Sequence, residues 1–289
     1  MTRGGAGGLS VAIYAPSGFA QEPAAVDRAV ARLAALGCEV HVDVSALARH
    51  TRFAGTDDER LAAVLRTAAL SGIGVALALR GGYGWTRLLP RLDCRALAAS
   101  GKRWIGHSDF TAFGLAMLAA AGAVTYAGPM AAYDFGAESP SDFTIGHALA
   151  MLRDGSDEAR FASGGADLDV EGTLWGGNLT MIASLVGTPY LPRVDGGILF
   201  VEDVAEHPYR IERMLHQLHF AGVLARQRAI LVGAFTGYEL AEHDNGYDLG
   251  AAIAHVAHAC RVPFVTGLPF GHVRDKLTLP VGGRARLAV

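Results

Sequence analysis

The 289-residue chain has only three cysteines, Cys38, Cys94 and Cys260. They are scattered and odd in number, so they supply neither a disulfide framework nor a CxxC metal pair. Such thiols suit a reducing compartment, where they act as small core hydrophobes, and a cytoplasmic location is expected. Positive charge is also scarce: 25 Lys and Arg are outnumbered by 28 Asp and Glu, with no basic block. That balance argues against nucleic acid as a partner. No uninterrupted apolar run approaches the roughly 20 residues of a spanning helix, so no membrane partner is expected. Arg3 followed by apolar residues 9–15 has the order of a signal peptide. The run is at the short edge of an h-region, however, and Pro16-Ser17-Gly18 cuts it off. It reads as a first β-strand entering a turn.

Apolar residues are plentiful, at 51%, and 37 glycines carry no triplet period. A chain of this length buries roughly 75% of the surface its unfolded form exposes, which excludes disorder and leaves room for one large or two smaller domains. The first half alternates strand and helix patterns: strands at 11–15, 39–44, 75–79, 102–107 and 123–127, and helices at 22–36, 57–70 and 109–121. Such alternation predicts an α/β fold with a parallel sheet and helices on both faces. Residues 134–140 cluster Gly, Ser and Pro, a helix is predicted over 142–152, and 153–165 is polar and Gly-rich. The division expected is an N-terminal domain over 1–140, a linker region over 141–165 and a C-terminal domain over 166–289. In the last part, strands are predicted at 168–174, 198–201, 229–234 and 262–266, with helices from 178, over 208–220 and over 248–260.

Ligands of an open α/β sheet bind beyond the carboxyl ends of its strands. Two segments of the first half lie there. Gly106-His107-Ser108-Asp109 has the strand–turn–helix form of a nucleophile elbow, in which Gly106 relieves crowding and Ser108 projects its hydroxyl. The last glycine of G-x-S-x-G is replaced by Phe110. The plain alternative is that Ser108 only caps the helix. Strand alternation sends His107 to the opposite face, which argues against it as the base. Arg80-Gly81-Gly82-Tyr83-Gly84 lacks the third glycine of a dinucleotide fingerprint and follows a middle strand. Its glycine N–H groups read better as part of an oxyanion hole beside Ser108, or as a plain tight turn.

In the second half, the apolar run 198–201 ends in Glu202 and Asp203, and Gly271-His272 follows another apolar strand. The carboxylates have an alternative use in helix capping or in salt bridges to Arg210 or Arg213. Ser, Glu and His at three strand ends nevertheless form a triad order. His216/His219 and His255/His258/Cys260 occur at helical spacings without an HExxH-type signature, so no metal is expected, nor any other cofactor.

A family resemblance spans nearly the whole chain. It rests on Ala15-Pro16-Ser17-Gly18; Arg80–Gly84 with Leu88-Leu89-Pro90 and Asp93; Gly106-x-Ser108-Asp109 with Thr111; and Gly176-Gly177-Asn178. It continues through Leu199-Phe200-Val201-Glu202-Asp203 with Tyr209-Arg210, then Gly271-His272 with Leu279-Pro280-x-Gly282. In order, these motifs resemble the LD-carboxypeptidases, serine peptidases that include muramoyl-tetrapeptide carboxypeptidase and the microcin C self-immunity peptidases. The resemblance implies a Rossmann-like N-terminal domain, a smaller C-terminal α/β domain with β-barrel character, a homodimer, and an active site assembled by domain closure. It implies Ser108 as nucleophile, His272 as base and Glu202 as its orienting carboxylate, with an oxyanion hole from the N–H groups of Asp109 and Gly82. The expected substrate is a small peptide, the muropeptide tetrapeptide that loses its terminal D-Ala during cell-wall recycling. Arg80, Arg210 and Lys276 are candidates to bind its carboxylate. The alternatives are a microcin-type aminoacyl-nucleotide peptidase and a non-catalytic small-molecule binding protein. His107, where the family usually carries an aromatic residue, and Lys276, where a smaller polar residue is expected, depart from the pattern.

Overall fold

The computed structural model describes residues 8–165 and 167–289; Arg3 and Ala166, the first residue of the expected C-terminal domain, lie outside them. The chain begins β1 (Ser10–Tyr14), α1 (Ala24–Ala35), β2 (Glu39–Val42), α2 (Asp57–Ala69), β3 (Val75–Ala78), α3 (Trp85–Leu88), α4 (Cys94–Ala99) and β4 (Arg103–Gly106). It continues α5 (Phe110–Ala121), β5 (Thr125–Ala127), a π-helical turn at Ala131–Phe135, α6 (Asp142–Asp154) and β6 (Gly164–Gly165). Then come β7 (Asp169–Asn178), α7 (Leu179–Ser184), β8 (Gly197–Val204), α8 (Pro208–Phe220) and β9 (Gln227–Thr236). The last elements are α9 (Leu249–Cys260), β10 (Phe264–Thr266), β11 (Leu279–Val281) and β12 (Arg284–Ala288).

Two six-stranded sheets result, ordered β11-β5-β4-β3-β1-β2 and β12-β7-β8-β9-β10-β6. In each, the inner strands are parallel, as strand–helix alternation requires, while β11, β12 and β6 pair antiparallel at the margins. The second sheet curls into a half-barrel, as the family resemblance implied. Local signals agree with the helices. Thr56 and Glu59 form a capping box that starts α2, and Gly122 and Gly155 stop α5 and α6 in the left-handed conformation.

The expected linker contains α6 and β6, and β6 joins the second sheet. Conversely β11, from the end of the chain, returns to pair with β5 of the first sheet. Neither β6, β11 nor β12 stands out in the sequence. The first is two glycines, the second contains Pro280 and the third alternates arginine with alanine. Marginal strands of this kind carry weak apolar patterning.

Both faces of the first sheet are buried. Val11, Ile13, Val75, Leu77 and Ile105 face α1 and the π turn, in one core that also takes Leu33 and Phe135. On the other face Tyr14, Trp104, Trp85 and Phe113 pack edge to face or stacked, with Trp85 and Phe113 centroids 4.2 Å apart. This second core runs without a break into Trp175, Phe200, Leu218 and Val256 of the half-barrel. The helix α5 is sandwiched in it, apolar nearly all round, which is the composition of a helix buried on every side.

Trp104 is 1% exposed and touches both Tyr14 and Phe113 within that core. Replacing it with alanine removes a large packed ring and leaves a cavity, so Trp104→Ala is expected to lower stability by about 3–5 kcal/mol in urea denaturation.

Candidate active site

Between the end of β4 and the start of α5 the chain turns through His107, Ser108 and Asp109. Ser108 has φ +65°, a left-handed conformation that is costly for a residue with a Cβ and that recurs where a side chain must be aimed. Gly106 makes the turn feasible: a Cβ there would lie 2.9 Å from Phe110 Cγ and 3.0 Å from Ala78 Cβ. Phe110 thus takes the space that a second glycine leaves open in the usual elbow. The Ser108 carbonyl accepts from Thr111 N–H at 3.0 Å. No side-chain cap is made at the start of α5, and Ser108 lines a cavity instead.

The neighbouring Asp109 side chain is buried and does work that the motif does not reveal. Its Oδ2 accepts from the Ser17 hydroxyl at 2.6 Å and from Trp85 N–H at 3.4 Å. Three loops that share no sequence are thereby tied behind the nucleophile. Burial pushes its carboxyl up to about 6, against the lowering pull of Ser17, Trp85, Arg60 and Arg80.

The Arg80–Gly84 loop lies directly against Ser108. A Cβ on Gly81 would stand 2.8 Å from Ser108 Cβ and 3.1 Å from its Oγ, so only glycine allows this approach. Gly82 has φ +111° and borders the same cavity. Arg80 reaches back to the Phe19 carbonyl, 3.2 Å from Nη1, with its guanidinium 5.3 Å from the Tyr133 ring centroid.

From the half-barrel side, β8 delivers Glu202 and the loop after β10 delivers His272. His272 Nδ1 donates to Glu202 Oε2 at 2.8 Å, and the carboxylate is fully buried. Gly271 has φ +140°, and a Cβ there would fall 3.0 Å from the Ala234 carbonyl oxygen and 3.2 Å from Glu202 Oε2. Burial alone would lower the His272 pKa; the Glu202 hydrogen bond and negative charge outweigh it and leave the imidazole raised. Asp203, next to Glu202, points elsewhere, accepting from Asn178 Nδ2 at 2.7 Å and from Thr180 N–H and hydroxyl at 2.8 Å. Strand alternation separates the two carboxylates, one toward chemistry and one toward the start of α7.

Ser108 and His272 line one cavity of about 560 Å³, together with Arg80, Gly82, Tyr133, Ser141, Thr144 and Lys276. Within the expected triad, the direct side-chain bond among the described residues is Glu202–His272, and Ser108 and His272 both line the cavity. His107 also lines it, contrary to the expectation from alternation. Residue 107 lies past the last residue of β4, where the turn has already broken the strand's two-residue period. Its ring packs edge-on to His272 with centroids 5.2 Å apart, and Nδ1 donates to the Gly128 carbonyl at 2.9 Å. Burial, then the nearby charges of Lys276 and His272, hold its pKa well below the ordinary value, so it is a neutral wall of the site.

The three candidate cations separate in space. Lys276 forms a buried ion pair with Asp134, whose other oxygen accepts from Met130 N–H at 2.7 Å. Arg210 sits on the exposed part of α8, 3.7 Å from Glu206 and outside the cavity lining. Arg80 is inside it. Asp134 was missed from sequence because it falls in a segment that reads as irregular. Nothing local pointed to it: Asp275 stands directly beside Lys276 in sequence, whereas Asp134 is 142 residues away.

Residues 11–128 match the LD-carboxypeptidase N-terminal domain and residues 171–287 the LD-carboxypeptidase C-terminal domain. A putative carboxypeptidase of Streptomyces coelicolor is 35% identical, covering 97% of this chain and 90% of its own. The murein tetrapeptide carboxypeptidase of Pseudomonas aeruginosa is 34% identical over 87% of this chain and 84% of its own. Among solved structures, muramoyltetrapeptide carboxypeptidase from Oxalobacter formigenes superposes with a TM-score of 0.89 at 45% identity, covering 97% and 95% of the two chains. On these matches and its own two-sheet architecture, the chain belongs to the LD-carboxypeptidase family.

Proposed function

We propose that the protein is a serine carboxypeptidase that hydrolyses an L,D-peptide bond and releases the terminal D-Ala of a muropeptide tetrapeptide. The observation that carries this reading is the buried Glu202–His272 pair opening on the same cavity as the left-handed Ser108. With Nδ1–H given to Glu202, His272 keeps Nε2 as the free acceptor. It takes the Ser108 proton as Oγ attacks the scissile carbonyl carbon. Charge gathers on the carbonyl oxygen, where the N–H groups of Asp109 and Gly82 receive it. His272 then gives its proton to the leaving amine of D-Ala, and water repeats the sequence on the acyl-enzyme. A cavity of about 560 Å³ matches a short peptide stem.

An exopeptidase must also meet the terminal carboxylate, because burying that charge without a partner is expensive. Arg80 takes this role: Lys276 is already committed to Asp134, and Arg210 lies outside the cavity. The same reading carries a homodimer working in the cytoplasm. No helix among the described residues is long and apolar enough to cross a membrane.

Mass spectrometry of purified muropeptides tests the assignment. The wild type is expected to convert tetrapeptide to tripeptide with loss of D-Ala, and Ser108→Ala to slow this by about 10³-fold or more. An aminoacyl sulfamoyl adenosine run alongside separates the microcin-type reading, since the microcin C7 self-immunity protein has been solved with aspartyl sulfamoyl adenosine. A wild type that resists labelling by a serine-directed phosphonate would instead favour a non-catalytic binder.

The reaction needs neutral His272, so kcat/KM is expected to rise with pH through a pKa above the ordinary 6.5. Glu202→Gln removes the charge that raises the imidazole and leaves the opposing burial in place. Its residual activity should therefore show the acid limb displaced to lower pH, read from a kcat/KM profile. For Arg80→Met, KM is expected to rise about tenfold or more for a tetrapeptide with a free carboxylate, and little for its C-terminal amide. Equal effects on both would remove Arg80 as the anchor.

A further inference from the structure

We propose that Glu212, His216 and His255 form a binding site for a divalent transition-metal ion of the zinc class, clamping α8 to α9. The three side chains bring one carboxylate oxygen and two imidazole nitrogens within 4.8 Å of one another. None of them lines the catalytic cavity, so the site is independent of the hydrolase reading.

The arrangement is a product of helix packing. Glu212 and His216 are one turn apart on α8, which puts them on one face, with His216 Nε2 3.8 Å from Glu212 Oε1. The helix α9 lies alongside and presents His255 opposite them, its ring 5.3 Å from that of His216 at 72°. The histidine spacings within each helix, His216/His219 and His255/His258, do not make this site; the cross-helix combination does.

Neighbouring groups hold the ligands in place. The Tyr247 hydroxyl donates to Glu212 Oε2 at 2.6 Å and leaves Oε1 toward the histidines. The His216 ring stacks on Phe220, centroids 5.4 Å apart and planes within 16°. Its Nδ1 is buried without a hydrogen-bond partner among the described residues. The carboxylate held by an outer hydrogen bond has the support that metal ligands require, while the His216 ring is held by packing.

The donor set selects the ion. Two imidazoles and one carboxylate suit zinc, cobalt, nickel or copper, whereas calcium and magnesium call for oxygen ligands. Tetrahedral zinc, with bonds of about 2.1 Å, places its ligand atoms about 3.4 Å apart. The cluster therefore contracts by about an ångström on binding, within reach of side-chain rotation because His255 is exposed. The fourth position falls to water. Since α8 and α9 both pack on the half-barrel, the ion would stiffen the sheet that carries Glu202 and His272 without joining the chemistry.

Isothermal titration of the chelator-treated, dialysed protein with zinc chloride, at mildly alkaline pH because metal ligands bind deprotonated, tests the site. One ion per chain and a higher melting temperature are expected. His255→Gln and His216→Ala should each weaken binding at least about tenfold, while His219→Ala leaves it unchanged. Circular dichroism of each variant establishes that it is folded, and His255→Gln alters an exposed side chain, so at least one decisive variant keeps its structure. Cobalt should give the intense visible bands of a tetrahedral site in the wild type and lose them in His255→Gln. Absence of saturable zinc binding, or unchanged affinity in folded His255→Gln, overturns the proposal.

Discussion

The structure depends on the seat that the half-barrel provides for α5, the helix that Ser108 and Asp109 lead into. At that seat the Asn178 N–H donates to Thr111 Oγ1 at 3.0 Å, joining the last residue of β7 to the first turn of α5. Gly177 permits the approach, since a Cβ on it would stand 2.9 Å from Thr111 Cγ2. Because Asn178 is paired in register with Glu202 on β8, the same contact relates the height of Glu202 to the start of α5. Around this point the two sheets share one apolar core instead of meeting across a polar cleft. Ser108 and His272 line one cavity at this junction. The return of β11 to the first sheet ties the loop after His272 to the sheet whose β4 leads into Ser108.

Three buried carboxylates around the cavity show how environment divides labour. Glu202 orients His272 and raises its basicity. Asp109 fastens the Ser17 and Trp85 loops behind the nucleophile and keeps a pKa of about 6 through burial. Asp134 neutralises Lys276, whose charge would otherwise stand unpaired beside the histidines. A buried ion pair is costly unless its remaining hydrogen bonds are satisfied, and Met130 N–H supplies one to Asp134. Burial, and then the nearby Lys276 and His272, keep His107 neutral, so it serves as an edge-on aromatic surface.

The parallel strands and their helices were legible because a strand buried on both faces needs continuous apolar residues, and a covering helix needs a stripe. Ser108, Glu202 and His272 were legible because each ends an apolar run beside glycine or a second polar residue. The marginal strands β6, β11 and β12 were not, since glycine, proline and alternating arginine carry no strand period. The side to which His107 points was misread for a related reason: alternation holds inside β4 and fails in the turn that follows. Arg80, Arg210 and Lys276 looked equivalent as cations, because nothing local distinguishes a charge that is paired, exposed or turned into a cavity.

By itself the sequence determined the element types, the sharp turns at Gly106 and Gly271, and the chemical identities placed at the strand ends. These are short-range properties, governed by periodicity, by backbone freedom and by the side chain each position carries. The tertiary structure alone decided what Asp203 binds, which lysine–aspartate pair is sealed, and which histidines of α8 and α9 come together. Those outcomes depend on contacts between residues far apart in the chain, where packing and desolvation, not local preference, set the energy.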